Sequence, residues 1–316
     1  MCGITGILDT RVGGDIDAAA LRRMNDSQWH RGPDEGSVHV EPGLGFGHRR
    51  LSIIDIATGQ QPLFNEDHSV VVVFNGEIYN YQELIPELQA AGHVFHTKSD
   101  TECIVHAWEE WGEACVERFR GMFAFALWDP ERGTLLLARD RLGKKPLYFT
   151  RRGDRIAFAS TLSALLADPS TPRAIDDGAL AEYLALEYVV APRCLLAGVR
   201  KLEPATRTVL HPGGGEDTRR YFHLPPAGSR GLSAEEAERE LEARLVKAVR
   251  RRLVADVPLG VFLSGGVDSS TVAALAARER AGIETFSIAF DDPSFDESAH
   301  ARRVARHLGT RHHEER

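Results

Sequence analysis

Leu263-Ser264-Gly265-Gly266-Val267-Asp268-Ser269-Ser270 separates an apolar run, Val257 to Leu263, from a helical pattern, Thr271 to Arg280. The run reads as a buried strand, so the octapeptide is a Gly-containing turn that delivers the chain into a helix. Two glycines let backbone approach a phosphate, and a helix N-terminus offers unpaired N–H groups and the positive end of its dipole. Ser264, Ser269 and Ser270 add hydroxyl donors. No lysine follows, so this is not the Walker-type loop that grips β- and γ-phosphates. The acidic Asp268 makes sense in an anion site if it holds Mg²⁺ that in turn holds the phosphates. Its bland alternative is a Gly-rich turn with a serine cap.

Outward from this loop, Ile283 to Phe290 reads as a second strand and Glu297 to Leu308 as a helix. Upstream, Ser233 with Glu236 three residues on forms a capping box for a helix running to about Val254. Strand alternating with helix means a parallel sheet. Before it, residues 203–232 are rich in Pro and Gly, with His211-Pro212-Gly213-Gly214-Gly215 and Pro225-Pro226-Ala227-Gly228, and read as a linker. Residues 2–202 and 233–316 are then two domains.

The first of these mixes short strands and helices. Ser69 to Phe74 is an apolar β-branched run. Met122 to Trp128 and Thr134 to Ala138 flank the turn Asp129-Pro130-Glu131-Arg132-Gly133, and Leu147 to Thr150 and Arg155 to Ser160 flank Arg151-Arg152-Gly153-Asp154. Both pairs predict hairpins. Ile104, Val105, Trp108 and Trp111 recur at helical spacing, with Asp100 where an N-cap belongs. Hairpins with segregated helices predict an α+β sandwich.

At its start stands Met1-Cys2-Gly3-Ile4-Thr5-Gly6-Ile7. Removal of Met1 leaves a thiol and a free α-amine on the same carbon, a nucleophile carrying its own base, because an α-amine titrates at about pH 8. Alone, a cysteine at position 2 is more often an early strand residue.

Composition bounds the class. The 316 residues carry 43% hydrophobic and 27% charged residues, ordinary for a globular protein, and a formal net charge of −8, which argues against nucleic acid as the main partner. Cys2, Cys103, Cys115 and Cys194 lack zinc-site spacing and are too few for a disulfide scaffold. Free thiols fit a reducing cytoplasm. No apolar stretch reaches membrane-spanning length, and Asp9, Arg11, Asp15, Asp17, Arg22 and Arg23 break the pattern of a signal peptide. His312 and His313, adjacent on a strand, point to opposite faces and so predict solvent exposure more than a metal.

Ser264 to Ser270 resembles the pyrophosphate loop of the ATP pyrophosphatase group, whose members split ATP into AMP and pyrophosphate. An N-terminal Cys-Gly-Ile followed by this loop is similar to the glutamine-hydrolysing asparagine synthetase family; other N-terminal-cysteine amidotransferases carry unrelated second domains. The likeness continues in His30-Arg31-Gly32-Pro33-Asp34, His48-Arg49-Arg50-Leu51-Ser52-Ile53-Ile54-Asp55, Asn75-Gly76-Glu77-Ile78-Tyr79-Asn80, Ser99-Asp100-Thr101-Glu102 and Arg139-Asp140-Arg141-Leu142-Gly143-Lys144-Lys145-Pro146-Leu147. It implies an αββα N-terminal nucleophile hydrolase sandwich followed by an incomplete α/β parallel-sheet ATP-pyrophosphatase domain. It also implies that Cys2 attacks L-glutamine and that Arg50 takes the glutamine α-carboxylate, a task that suits a planar guanidinium. Backbone of Leu51, Ser52, Ile53 and Ile54 lines the pocket in this family. The resemblance further implies that Glu77 and Asp100 take the α-ammonium and that Asn75 and Gly76 form the oxyanion hole. For ATP the resemblance implies Leu263, Ser264, Gly265, Gly266, Val267, Asp268, Ser269, Ser270 and Ile288, with Mg²⁺ at Asp268. The acceptor is aspartate or another carboxylate, and a homodimer stays open.

The bland alternatives are concrete. Asn75-Gly76 is also a strong hairpin-turn dipeptide, although Asn80 with Glu83 opens a helical pattern after it. Asp100 serves equally as a helix cap, and Arg50 by itself reads as a surface arginine. Thr161 and Ser163 stand where many relatives carry Glu and Lys. Residues 1–10, Met24 to Ser27, Gly59 to Asn65 and His106 to Gly112 look like the branch associated with exosortase and exopolysaccharide systems, which leaves an acceptor other than aspartate open. The family's synthetase domain continues past Arg316, which implies a fragment or truncated product with weak ATP binding. A truncated regulatory remnant is the rival from another class.

Overall fold

The strands of the first part of the chain are β1 (Gly3–Asp9), β2 (Glu35–Glu41), β3 (Leu44–Arg50), β4 (Leu63–Phe64), β5 (Val71–Ile78), β6 (Gly121–Asp129), β7 (Thr134–Arg139), β8 (Tyr148–Arg152), β9 (Arg155–Ala159), β10 (Val199–Lys201), β11 (Thr206–Leu210) and β12 (Glu216–Arg220). Its helices are α1 (Ala18–Asp26), α2 (Tyr81–Ala90), α3 (Glu102–Trp111), α4 (Cys115–Arg118), α5 (Leu162–Leu166) and α6 (Asp177–Leu186). The computed structural model describes all residues except 12, 212, 213, 227, 229 and 230. It divides into two units, Met1–Leu224 and Pro225–Arg316.

β1 is buried along its whole length. Strand alternation sends Ile4 and Leu8 into one apolar cluster and Ile7 into another, so the strand lies between two layers. It belongs to an antiparallel sheet of order β10-β8-β9-β1-β3-β2, and a second sheet has the order β12-β11-β7-β6-β5-β4. The cluster with Ile4 and Leu8 joins Phe46 and Phe158 of the first sheet to Val71, Val73, Ala124, Ala126, Leu135 and Leu137 of the second. The Val, Leu, Ile and Phe side chains among them contribute about 1.5–3 kcal/mol each when fully buried. Gly6 makes room for one of them, since a Cβ there would stand 2.1 Å from the Phe158 ring. The outer face of the first sheet packs Ile7, Ala157 and Ala159 against Leu21 and Met24 of α1 and Leu165 of α5. On the second sheet α2 and α3 bury Leu84, Leu88, Ile104, Val105 and Trp108, and Trp108 Nε1 donates to Asp129 Oδ2 at 2.8 Å. The layers are αββα, as the resemblance implies.

In the first unit three expectations change. The run Ser69 to Phe74 is part of a strand that continues through Asn75-Gly76 to Ile78, because β5 stays paired with β6 from Val71↔Trp128 to Ile78↔Gly121. A turn dipeptide is thus held extended by its neighbour. Asp100 does not cap α3: the N-cap is Thr101, without a side-chain bond, and Asp100 Oδ2 accepts from Ile78 N at 2.8 Å. The segment 203–232 is not all linker. β11 pairs with β7 and β12 with β11, and Tyr221 Oη donates to Arg139 O at 2.7 Å, so the first unit runs to Leu224. Pro204 falls just before β11, and Gly214 and Gly215 fall between β11 and β12; of the clusters read as linker, 212, 213 and 227 lie outside the described residues.

The second unit contains α7 (Ala234–Arg252), β13 (Gly260–Phe262), α8 (Val267–Glu279), β14 (Glu284–Ile288), α9 (Ser298–Leu308) and β15 (Arg311–Glu315). The expected capping box at Ser233 and Glu236 is present. β13, β14 and β15 form a parallel sheet in that order, with Gly260↔Glu284 and Glu284↔Arg311 in register. Val249, Leu275, Ala276 and Ile283 form one cluster, and Leu263, Ala273, Ala301 and Ala305 another. The run 257–263 is only partly a buried strand: Phe262 is 82% exposed. His312 is not left to solvent, since its ring nitrogens meet the hydroxyls of Thr285 at 3.0 Å and Ser287 at 3.1 Å, while His313 stacks on Phe286 at 4.8 Å. Alternation sends them to different neighbours on the adjacent strand.

Candidate functional site

Antiparallel pairing of β1 with β3 sets Gly3 opposite Arg49, so Cys2, one residue earlier, falls beside the point where β3 ends at Arg50-Leu51. Cys2 Sγ lies 3.5 Å from Leu51 N and 3.7 Å from Leu51 O, and Arg31 Nε donates to Cys2 O at 2.9 Å. The second sheet brings Asn75, Gly76 and Glu77 on β5 to the same pocket, which is also lined by Met1, Arg50, Leu51, Ile53, Ile54, Asp100 and Lys145. Ser52, expected in this run, does not line it; its N–H donates to Asp34 Oδ2 at 2.8 Å.

Asn75 is fully buried, and neither its amide nitrogen nor its amide oxygen has a hydrogen-bond partner. A buried unsatisfied amide costs about 1–3 kcal/mol, so it marks a place where a ligand supplies what the protein does not. Burial pushes the Asp100 carboxyl up to about 7, against the Ile78 N–H that favours its charge and with Glu77 adding to the rise. A cation arriving there restores the ionised form. Burial likewise raises the Cys2 thiol, while the Leu51 backbone, the N-terminal charge and Arg50 act to lower it.

Arg50 lines the pocket, but its fork is already engaged. Nη1 donates to Glu35 at 3.2 and 3.3 Å and to Ile56 O at 3.2 Å; Nη2 donates to Ile54 O at 3.3 Å and Asp55 O at 2.6 Å. It therefore shapes the loop 54–56 that closes the pocket. Asp55, at φ 52, fixes the same loop by accepting from Thr58 N at 3.0 Å and ties it to the Asp100 segment by accepting from Lys98 N at 2.7 Å.

Three residues of the site carry no role in the sequence reading. His48, buried and pushed down to about 3 by desolvation, is neutral and bridges the two sheets through Phe74 O at 3.1 Å. Gln61 Oε1 accepts from Phe74 N at 2.7 Å and its Nε2 reaches Thr101 Oγ1 at 3.4 Å. Lys145 is 5% exposed, and among the described residues its ammonium makes no hydrogen bond or ion pair. Only its place in the segment Arg139 to Leu147 signals it, since burial of a charge is not written in local sequence.

In the second unit, Gly265 has φ +89, and a Cβ there would stand 2.6 Å from Ala301 N, so this turn requires glycine. α8 starts earlier than expected, at Val267 with Gly266 as N-cap, which puts Asp268, Ser269 and Ser270 in its first turn. Ser264 Oγ accepts from Gly266 N at 3.2 Å and meets Ser269 Oγ at 3.0 Å. A pocket beside the loop is lined by Leu263, Ser264, Ser269, Ile288, Phe290 and Phe295. The N-terminus of α8 with an apolar pocket alongside fits a nucleotide. For a divalent ion the loop offers the Asp268 carboxylate.

The model of the family described as Glutamine amidotransferase domain matches residues 1–222, and that of Asparagine synthase matches residues 240–316. "Asparagine synthetase [glutamine-hydrolyzing] 1" of Bacillus subtilis is 37% identical over 313 residues, covering 98% of this chain and 49% of that protein. A putative asparagine synthetase [glutamine-hydrolyzing] 2 of Methanocaldococcus jannaschii is 33% identical, covering 99% and 64%. The chain thus spans about half to two thirds of the length of such curated relatives. Among solved structures, glutamine phosphoribosylpyrophosphate amidotransferase of B. subtilis, complexed with ADP and GMP, superposes with a TM-score of 0.52 at 16% identity, covering 99% of this chain and 81% of that one, a likeness of fold alone.

Proposed function

Since the chain belongs to the glutamine amidotransferase family, joined to an asparagine synthase-type segment as in glutamine-hydrolysing asparagine synthetases, we propose that its first unit hydrolyses glutamine at Cys2. One observation carries this reading: a thiol, an amide with no partner and a buried carboxylate pushed up to about 7 line a single pocket. Glutamine answers all three needs. Its α-ammonium ionises Asp100, helped by Glu77, and its α-carboxylate lies toward Arg50. Its side-chain carbonyl presents to Cys2 the carbon that Sγ attacks. Negative charge then develops on the carbonyl oxygen, where Asn75 Nδ2 and the Gly76 N–H donate. After Met1 is removed, the Cys2 amine takes the thiol proton and returns it to the leaving ammonia. Water releases glutamate from the γ-glutamyl thioester.

The asparagine synthase match and the Ser264 to Ser270 loop support the second half of the proposal. Ammonia is consumed by an acceptor carboxylate activated with ATP as the adenylate, aspartate in the simplest case. The loop would hold the phosphates of ATP, with Ile288 in the adjoining pocket, and Asp268 would hold Mg²⁺, which would neutralise phosphate charge. Four free cysteines support a cytoplasmic setting. The test is incubation of the chain with glutamine, reading glutamate and ammonia, and with a glutamine analogue bearing an electrophile in place of the amide. Equimolar release of both products and an adduct on Cys2 are expected; no glutamate release from a folded protein that has lost Met1 overturns the reading.

A further inference from the structure

Away from the Cys2 pocket, two imidazoles and a ring of carboxylates converge where the end of β4, the turn after α2 and the middle of α3 meet. His106 Nδ1 is 3.0 Å from Glu109 Oε2 and 3.4 Å from Glu66 Oε2, and His93 Nδ1 is 3.6 Å from the same Glu109 oxygen. Tetrahedral coordination with bonds of about 2.0–2.1 Å separates neighbouring ligand atoms by about 3.4 Å. Glu66, His93 and His106 each offer a donor atom within 4.8 Å of the other two.

The surroundings are arranged as behind metal-bound imidazoles, where the outer ring nitrogen faces a carboxylate. His106 Nε2 faces Glu102 Oε1 at 3.7 Å, and His93 Nε2 faces Glu110 Oε2 at 3.4 Å. Both Nε2 atoms are buried and without a hydrogen-bond partner, and His106 is fully buried. Glu109 Oε1 is held by Asn65 Nδ2 at 2.7 Å, which leaves Oε2 to the two histidines. Helical spacing puts His106 and Glu109 on one face of α3.

We propose a structural divalent transition-metal site of the zinc class, with His93, His106 and Glu66 as ligands and Glu109 Oε2 at the fourth position. Four carboxylates around two imidazoles demand positive charge, and imidazole with carboxylate suits such ions. The site would clamp the segment carrying Asp100, because Glu102 also accepts from His96 N and Thr97 N, both at 2.7 Å.

The full chain, free of affinity tag and stripped with chelator, is titrated with Zn²⁺ by calorimetry and with Co²⁺ by visible absorption. One equivalent binding with Kd below about 1 μM is expected, together with tetrahedral cobalt bands that lack thiolate charge transfer. Thermal midpoint should rise by several degrees on Zn²⁺ addition. Glu66→Gln changes an exposed side chain and His93→Gln a half-buried one; each should weaken binding at least about tenfold while the apo protein stays folded. Absence of stoichiometric binding, undiminished binding in both variants, or a thiolate band placing the ion on Cys2 overturns the proposal.

Discussion

Asp100 Oδ2 accepts a hydrogen bond from Ile78 N at 2.8 Å, joining the segment that leads into α3 to the end of the strand that carries Asn75, Gly76 and Glu77. The carboxyl that makes this joint is the one burial pushes up to about 7.

Glutamine affinity should therefore weaken as pH falls through about 7, because a neutral Asp100 has little attraction for an α-ammonium. Stability should respond in the opposite sense. A carboxyl whose folded pKa exceeds its unfolded value favours folding below about pH 4 and loses that contribution as pH rises toward about 7. Asp100→Asn keeps an acceptor for Ile78 N, so it should gain stability relative to the parent between pH 4 and 7 while losing glutamine binding. Urea titrations at pH 4.5 and 8 with KM for glutamine check this; a pH-independent KM across 5.5 to 8 contradicts it.

Cys2→Ala should abolish glutamate release with little change in thermal midpoint, since among the described residues the thiol's hydrogen-bond contacts are with the Leu51 backbone. A non-removable N-terminal extension should have nearly the same effect by blocking the amine. Turnover surviving in a folded Cys2→Ala protein removes the thioester mechanism.

Asn75→Ala and Arg50→Lys should fail differently. Asn75→Ala should lower kcat by roughly 10²- to 10³-fold through loss of an oxyanion donor, with KM nearly unchanged. Arg50→Lys gives up bonds to Ile54, Asp55 and Ile56 carbonyls, each worth about 1.5–3 kcal/mol to a charged donor. It should raise KM at least about tenfold and also lower stability, because the loop loses its anchor. If both variants change only KM, Asn75 does not serve the oxyanion.

What the residues disclose follows the range of the interaction. The hairpin from Met122 to Ala138 is legible because its turn and both alternating strands are local, and β6 and β7 pair from Asp129↔Thr134 onward. β5 through Asn75-Gly76 is not, because only pairing with β6 keeps a turn-prone dipeptide extended. β11 and β12 hide among Pro and Gly for the same reason. At the pocket, Cys2 and the Asn75 to Glu77 run are marked by motif. The engaged fork of Arg50, the neutral His48 and the burial of Lys145 arise from contacts between distant segments and have no local signature.

Lys145 separates stability from activity. It is almost completely buried, without an ion pair among the described residues, and lines the pocket with Cys2 and Glu77. Burial lowers the Lys145 ammonium and Glu77 acts against that shift, so nothing in packing alone recommends the lysine over an apolar side chain of the same shape. Its charge acts on the pocket instead. The chain-terminal amine is shifted down first by burial, and among the charges near it Lys145 and Arg31 lower it further. Once Met1 is gone, the amine on Cys2 lies at the same pocket wall and must be neutral to accept the thiol proton. Lys145→Met should therefore leave stability unchanged or raise it, reduce kcat/KM about tenfold or more, and move the acid limb of the pH profile upward, as the amine is then protonated to higher pH. Lys145→Arg should restore the position of that limb. Parallel loss of stability and activity with an unshifted pH profile would show that Lys145 is only part of the scaffold.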